Sequence, residues 1–191
     1  MKFKAWRNTG DIGRLNLVVS GQYNNRQEFD QKRFASSSNA PQLDLTIGTG
    51  LAEVVWDHFN TGAFRGTIGG SFMYQNNSYE RRLFIPNYES ANAGLFVIEK
   101  WTKNKLDLEA GIRFDRKSIF NTTDNGQVNT YPDRLFNNAS GNIGFNYRFV
   151  PAFRVTVNAS TAWRAPQVNE LYADGLHHGA ARIEKGDPNL T

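Results

Sequence analysis

The sequence predicts an all-β chain, a partial wall of an antiparallel transmembrane β-barrel with about seven strands. Three observations carry this. Apolar and polar residues alternate with period two along segment after segment, as in strands whose two faces meet different surroundings. Short and long connections between these segments alternate strictly, as they do between the two sides of a membrane barrel. Aromatic residues gather beside the short connections, where an interfacial girdle belongs.

Composition agrees. Hydrophobic residues make up 39% of 191 residues and aromatic residues 13%, which leaves a thin aliphatic share for a soluble core. The mean hydropathy of -0.56 suits a wall that is apolar on one face only. There is no cysteine, hence no disulfide framework or cysteine metal site. No run reaches the roughly 18 apolar residues of a membrane helix. Met1-Lys2-Phe3-Lys4-Ala5-Trp6-Arg7 lacks the apolar core of a signal peptide, so the natural N-terminus is expected further upstream. Lys and Arg are interspersed with Asp and Glu at a net charge of +4, which argues against a nucleic-acid partner.

The segments follow in order. Gly13 to Tyr23 sets Leu15, Leu17, Val19 and Tyr23 against Arg14, Asn16, Ser20 and Gln22. Leu43 to Leu51 sets Leu43, Leu45, Ile47 and Leu51 against Asp44, Thr46, Gly48 and Gly50, and the alternation slips near Glu53, where a bulge is expected. Phe64 to Tyr74 sets Phe64, Ile68, Phe72 and Tyr74 against Arg65, Thr67, Ser71 and Gln75. Gly94 to Trp101 is short and less regular. Lys105 to Asp115 is the cleanest, with Leu106, Leu108, Ala110, Ile112 and Phe114 opposing charged neighbours. Ala139 to Phe149 and Phe153 to Trp163 complete the set.

Tight turns are expected at Phe59–Ala63, Thr102–Asn104 and Val150–Ala152, and long polar loops at Asn76–Asn92 and Ser118–Phe136, with Phe34–Gln42 intermediate. The short-turn aromatics are Trp56, Phe59, Phe64, Trp101, Phe149 and Phe153. This rhythm has the Gly13 strand rising outward and Trp163 emerging on the outer side. No helical periodicity is present. A soluble sandwich or lipocalin-like barrel shares the alternation, but not the two kinds of loop together with the aromatic ends.

After Trp163 the chain changes character. Pro166 stops strand pairing, and Gly186-Asp187-Pro188-Asn189 reads as a turn. Arg164-Ala165-Pro166, then Glu170-Leu171-Tyr172, then Gly186-Asp187-Pro188-Asn189-Leu190 stand in one order and spacing. This run resembles the TonB-dependent outer-membrane receptor family, with Asp187 in place of the commoner Asn. Gln22 to Asp30 and Gly94 to Glu99 are similar to barrel segments of these receptors, so the resemblance covers nearly all of residues 1–191.

It implies a barrel of about 22 strands with a plugged lumen in the outer membrane of a Gram-negative bacterium, in contact with outer-membrane lipids. It also implies active uptake of a scarce metal or metal complex, siderophore-iron or zinc among them, driven by the TonB complex through the plug. The chain matches neither the plug nor the TonB box, and no cofactor is implied.

His177-His178 is the sharpest chemical feature, with Asp174 and Glu184 as nearby oxygen donors. Imidazole is a common ligand for zinc, copper and iron, and this run is similar to the zinc-associated branch of the family. His177 and His178 are therefore candidate metal ligands. A solvated or internally hydrogen-bonded pair is the structural alternative. Arg164 and Glu170 are spaced for an ion pair. Tyr172, Tyr79, Tyr88 and Trp163 offer aromatic faces to a ligand or anchor the structure, and Arg81-Arg82 offers charge in a loop. No Gly-x-Ser-x-Gly, phosphate loop or His-Glu-x-x-His occurs. An outer-membrane lipid hydrolase is thus an alternative without a visible Ser–His pair, and a structural or adhesion barrel is another, against which the Arg164-to-Leu190 run argues.

Overall fold

The computed structural model describes residues 1–10, 13–29, 41–81, 83–122, 131–177 and 182–191, with the backbone alone at 59–61 and 176–177. Eight strands form one antiparallel sheet in sequence order. They are β1 (Lys2–Asn8), β2 (Gly13–Glu28), β3 (Leu43–Thr61), β4 (Phe64–Arg81), β5 (Tyr88–Lys103), β6 (Leu106–Asn121), β7 (Arg134–Val150) and β8 (Phe153–Ser160). A short helix, α1 (Val168–Tyr172), follows, and then a separate hairpin of β9 (Asp174–His177) and β10 (Arg182–Lys185).

The all-β wall is as the alternation predicts, with one strand more than expected. Lys2–Asn8 pairs along β2, Phe3 opposite Val19 and Ala5 opposite Leu17. Seven residues with Lys, Trp and Arg among them carry too little contrast to announce a strand. Its ladder is supplied by β2.

Most strands are also longer than expected: β3 has 19 residues, β4 18 and β7 17; β8 is shorter, ending at Ser160 where the alternation had placed its end at Trp163. About ten tilted residues cross a bilayer, so the outer ends project beyond it. There the outward rows turn largely polar, as at Thr46, Ser78 and Ser118, while Leu43, Leu45, Tyr88, Ile119 and Phe136 stand on the other face, so the alternation no longer reads as it does within the bilayer. The predicted loops at 76–92 and 118–136 shrink accordingly, because β4 runs to Arg81 and β6 to Asn121.

Register assigns the two faces. One outward row across β5, β6 and β7 reads Val97, Ile112 and Gly141, and the next reads Leu95, Phe114 and Ala139. Ile112 is 59% exposed and Ile143 62%, and many large apolar residues beside them are likewise uncovered. A continuous apolar surface of this kind needs an apolar solvent. The opposite face is laced with polar contacts. Asp57 accepts from Asn16 at 2.8 Å and from Thr67 at 2.9 Å, and Thr49 accepts from Gln75 at 3.0 Å. Near the tight turns the rings of Tyr147 and Phe149 lie 4.7 Å apart and those of Phe149 and Phe153 5.6 Å, and Phe64 pairs with Trp101, as the expected girdle requires; the Phe59 side chain lies outside the described residues.

Two sequence expectations about β3 are corrected. No bulge interrupts β3 at Glu53, which pairs in register with Val18 and Ser71; the irregularity lies between His58 and Thr61. The apolar row Leu43, Leu45, Ile47 and Leu51 is not on the lipid face. It lies opposite Glu28, Arg26, Asn24 and Ser20, on the polar face, while Ala52, Val54 and Trp56 pair with the outward residues Val19, Leu17 and Leu15. Hydrophobicity changes sides part-way along β3, and that change is the slip seen in the sequence. The absence of helical periodicity also misled: the 5 residues of α1 are too few to show a period of 3.6.

The two faces differ in what they tolerate. Ile112→Arg, on the outward face, is expected to lower folding stability in bilayers by about 2–4 kcal/mol. Asn142→Arg, on the polar face beside Gly111, is expected to cost no more than about 0.5 kcal/mol. Denaturant titration of the liposome-inserted receptor reads both, and equal losses would refute the assignment of faces.

Candidate functional site

The outer end of the polar face carries residues of the wrong polarity for a water-filled surface. Leu43, Leu45, Tyr88, Ile119 and Phe136 are all buried there. They form a pad, and the chain after β8 folds down upon it. Pairing with β7 ends at Ser160, with the Thr161 N–H still donating to the Gly141 carbonyl, so it stops before Pro166, where the sequence placed the break. Pro166, which has no N–H for a ladder, lies in the stretch that turns over the polar face. Ala165, Val168, Leu171 and Tyr172 complete one apolar cluster with Tyr88, Ile119 and Phe136. Ala173 completes a second with Leu43, Leu45 and Phe84. Leu171 is 1% exposed.

Polar ties fix this segment. Arg164 grips Glu170 with two parallel hydrogen bonds of 2.8 Å, the bidentate geometry a guanidinium favours. Glu170 also accepts the Gln167 N–H at 2.7 Å, closing the first turn of α1. The hydrogen bonds from Arg164, and then that from Gln167, hold the Glu170 carboxyl down at about 2; Glu170 in turn pushes the Arg164 guanidinium up. The Tyr172 hydroxyl donates to the Pro132 carbonyl at 2.7 Å, and burial raises its phenol. Lys117 Nζ donates to the Pro166 carbonyl at 3.1 Å.

The Gly186-to-Leu190 turn docks on α1 from the other side. Gly186 N–H donates to Ala173 O at 2.7 Å and Asp187 N–H to Glu170 O at 2.9 Å. A Cβ on Gly186 would stand 2.4 Å from the Leu171 carbonyl carbon and 2.5 Å from the Tyr172 nitrogen, so only glycine permits this approach. Asp187 Oδ1 accepts the Asn189 N–H at 2.9 Å, with Pro188 inside the turn. The Leu190 carbonyl accepts from Arg134 at 3.0 Å. Arg164-Ala165-Pro166, Glu170-Leu171-Tyr172 and the Gly186 turn are therefore one interlocked element.

The proposed metal ligands are less gathered. Asp174 and Lys185 are register partners, as are Gly175 and Glu184, and His177 and Arg182. Glu184 accepts from Arg182 at 2.8 Å, and Asp174 is exposed. The His177 side chain and all of His178 lie outside the described residues, as does Arg82. Among the described residues no group of three or more His, Asp or Glu side chains could hold a metal. His58 stands elsewhere, its Nε2 2.9 Å from Glu99 Oε1; they reach each other over Gly66, which pairs with both. Of the aromatic candidates, Tyr88 and Tyr172 are core residues and Tyr79 packs against the second cluster, while Trp163 stays partly exposed with its ring 6.5 Å from Phe136.

Sequence reasoning passed over a cavity of about 260 Å³ beneath this element. Met73, Asn92, Arg113, Asp115 and Lys117 line it from the sheet, and Trp163, Arg164 and Gln167 from the closing segment. Its signal was present as parity. Ile119 and Phe136 are apolar at positions that continue the polar rows, which marks a place where something covers the sheet.

A family model, TonB dependent receptor-like, beta-barrel, matches residues 2–191. The chain belongs to this family. TonB-dependent receptor barrels lie in the outer membrane of Gram-negative bacteria and transport rather than catalyse, so the outward face meets lipid and the polar face is lumenal. Among solved structures the chain is similar to the copper transporter OprC, with a TM-score of 0.69 and 16% identity over 92% of this chain and 33% of that one. It spans about a third of the length of that transporter, and the likeness is one of fold. No curated protein matches the chain in sequence.

Two outcomes follow for this receptor's closing element. Gly186→Ala is expected to destabilise it by about 1–3 kcal/mol through overpacking, read as faster proteolysis at 164–191 in the folded receptor. The Glu170 carboxyl lies below its ordinary 4.5 in the folded chain, so its ion pair contributes fully above pH 4.5. That contribution is lost as pH falls toward about 2. Carbon-13 titration of Glu170 is expected to show the low midpoint, and Arg164→Met to return it toward 4.5; an unmoved midpoint would refute Arg164 as the cause.

Proposed function

We propose that the chain is part of an outer-membrane receptor that takes up a scarce metal or metal complex by TonB-coupled active transport. The observation that carries this reading is the interlocked Arg164-to-Leu190 element, folded over a charged lumenal cavity in a barrel of the receptor family. An element of this kind covers the lumenal face at its outer end, where a ligand arriving from outside is met first. Coupling requires the TonB complex acting through a plug that fills the remaining lumen.

A metal-containing cargo is supported from two directions. One solved structure of similar fold is a copper transporter, and the sequence after α1 carries His177 and His178 between Asp174 and Glu184. Imidazole and carboxylate together suit zinc, copper and iron. On this reading the histidine pair offers the first ligands at the outer mouth and exchanges the metal, or its complex, to the lumen below. Siderophore-iron and zinc remain the cargo classes of this proposal beside copper.

Uptake of zinc, copper and ferric siderophore by cells producing the full receptor tests the reading, with a TonB-deficient strain as reference. Accumulation of at least one cargo that disappears without TonB is expected. Metal titration of the purified receptor tests the histidines: the His177→Ala, His178→Ala double variant is expected to bind about tenfold or more weakly, the loss of one good ligand interaction. An unchanged affinity removes the pair from the site and leaves the transport reading standing.

A further inference from the structure

We infer that the lumenal cavity beneath Trp163 and Arg164 is a binding site for an anionic oxygen group, a carboxylate or a phosphate, received by the ammonium of Lys117. Lys117 pairs with Asn92 on β5 and Phe136 on β7, so it stands on the lumenal face under the closing element. It is only 8% exposed. A lysine ammonium has three protons to donate, and one goes to the Pro166 carbonyl at 3.1 Å.

The charges around it are already matched to each other. Arg113 is bound to Asp115 through Nε and Nη2 at 2.7 and 2.6 Å and touches Ser71 at 3.2 Å. Arg164 is bound to Glu170. Among the described residues no carboxylate lies within ion-pair distance of Lys117. Its ammonium is thus a buried positive charge whose only described acceptor is a neutral carbonyl, and such a charge is costly unless an anion completes it. The cavity beside it is about 260 Å³, with Asn92 and Gln167 as further hydrogen-bonding groups on its wall. The third feature is the pairing of both guanidinium groups with the nearby carboxylates: Asp115 lines the same cavity and Glu170 acts on Lys117 through its field, but each is held by an arginine and neither closes an ion pair with the ammonium.

The inference rests on the uptake reading in one respect: it makes the cargo an anionic chelate in place of a bare cation.

Equilibrium dialysis of the full-length receptor with radiolabelled citrate, a metal-free polycarboxylate, tests it, with inorganic phosphate as competitor. Lys117→Met is expected to weaken citrate binding about tenfold or more, the loss of a charge-assisted hydrogen bond. Lys117→Arg, which keeps the charge, is expected to stay within about threefold. Arg116→Met, one residue away on the outward face, leaves binding unchanged. Heat-modifiable gel migration confirms that each variant is folded, and Lys117→Arg keeps the test decisive should Lys117→Met fail to assemble. Competition by phosphate assigns a general oxyanion site; its failure to compete assigns a carboxylate site. Equal citrate affinity in wild type and Lys117→Met, or no citrate binding by the wild type, overturns the inference. Metal uptake by cells is scored separately. Uptake that persists beside Lys117-independent citrate binding sinks this inference alone, whereas Lys117-dependent binding in cells that accumulate no metal sinks the uptake reading alone.

Discussion

A bilayer offers no hydrogen bonds, so every backbone N–H and C=O of a segment crossing it must find a partner in a neighbouring strand. That constraint builds the sheet. Eight antiparallel strands in sequence order are the simplest way to meet it, because each hairpin delivers a partner ladder at once. It also fixes the side-chain pattern. With the backbone satisfied sideways, the two faces are left to two solvents, and the outward rows become Leu, Ile, Val and Phe while the lumenal rows carry Asn, Asp, Arg and Thr.

The closing element depends on the same sheet in another way. At the outer ends of β3, β5, β6 and β7, the lumenal rows turn apolar and become a pad for α1. A helix of 5 residues has no stability of its own. It exists because Val168, Leu171 and Tyr172 are buried on that pad, because Glu170 closes its first turn, and because the Gly186 turn packs against its backbone. The Arg164 to Glu170 ion pair is largely in water, where such pairs contribute little to stability. Its work is geometric: it holds the chain at the bend after Trp163, where Arg164 lines the cavity with its charge already matched by Glu170.

The same arrangement explains why a charged cavity survives beneath an apolar lid. The sheet positions Arg113, Asp115 and Lys117 on alternating residues of one strand, all facing the lumen. The lid buries Lys117 without bringing a carboxylate into ion-pair contact with it among the described residues. Packing and electrostatics are set by different elements here, the first by α1 and the second by β6, and they meet at Pro166.

Much of this was legible from residues alone, and the reason is the period of two. From Lys105 to Asp115 each side chain's face follows from its parity, and the outward row of Leu106 to Phe114 stands as read. The three motifs after Trp163 carried the family, since their order and spacing survive without coordinates. Parity failed on Leu43 to Leu51 because it tells that two faces differ and not which one is wet. Only the register with Ser20 to Glu28 puts Leu43 and Leu45 on the lumenal face, and only the packing there shows them covered by Ala173 and Phe84. Strand length beyond the bilayer, the short helix and the cavity at Lys117 were likewise decided by tertiary structure. Each arises from partners distant in sequence: a ladder lent by a neighbour, a pad assembled from four strands, and a lid that arrives last. Sequence determined the wall and its family, because both are written in local repetition; the tertiary structure decided what covers the wall, because that depends on which distant residues meet.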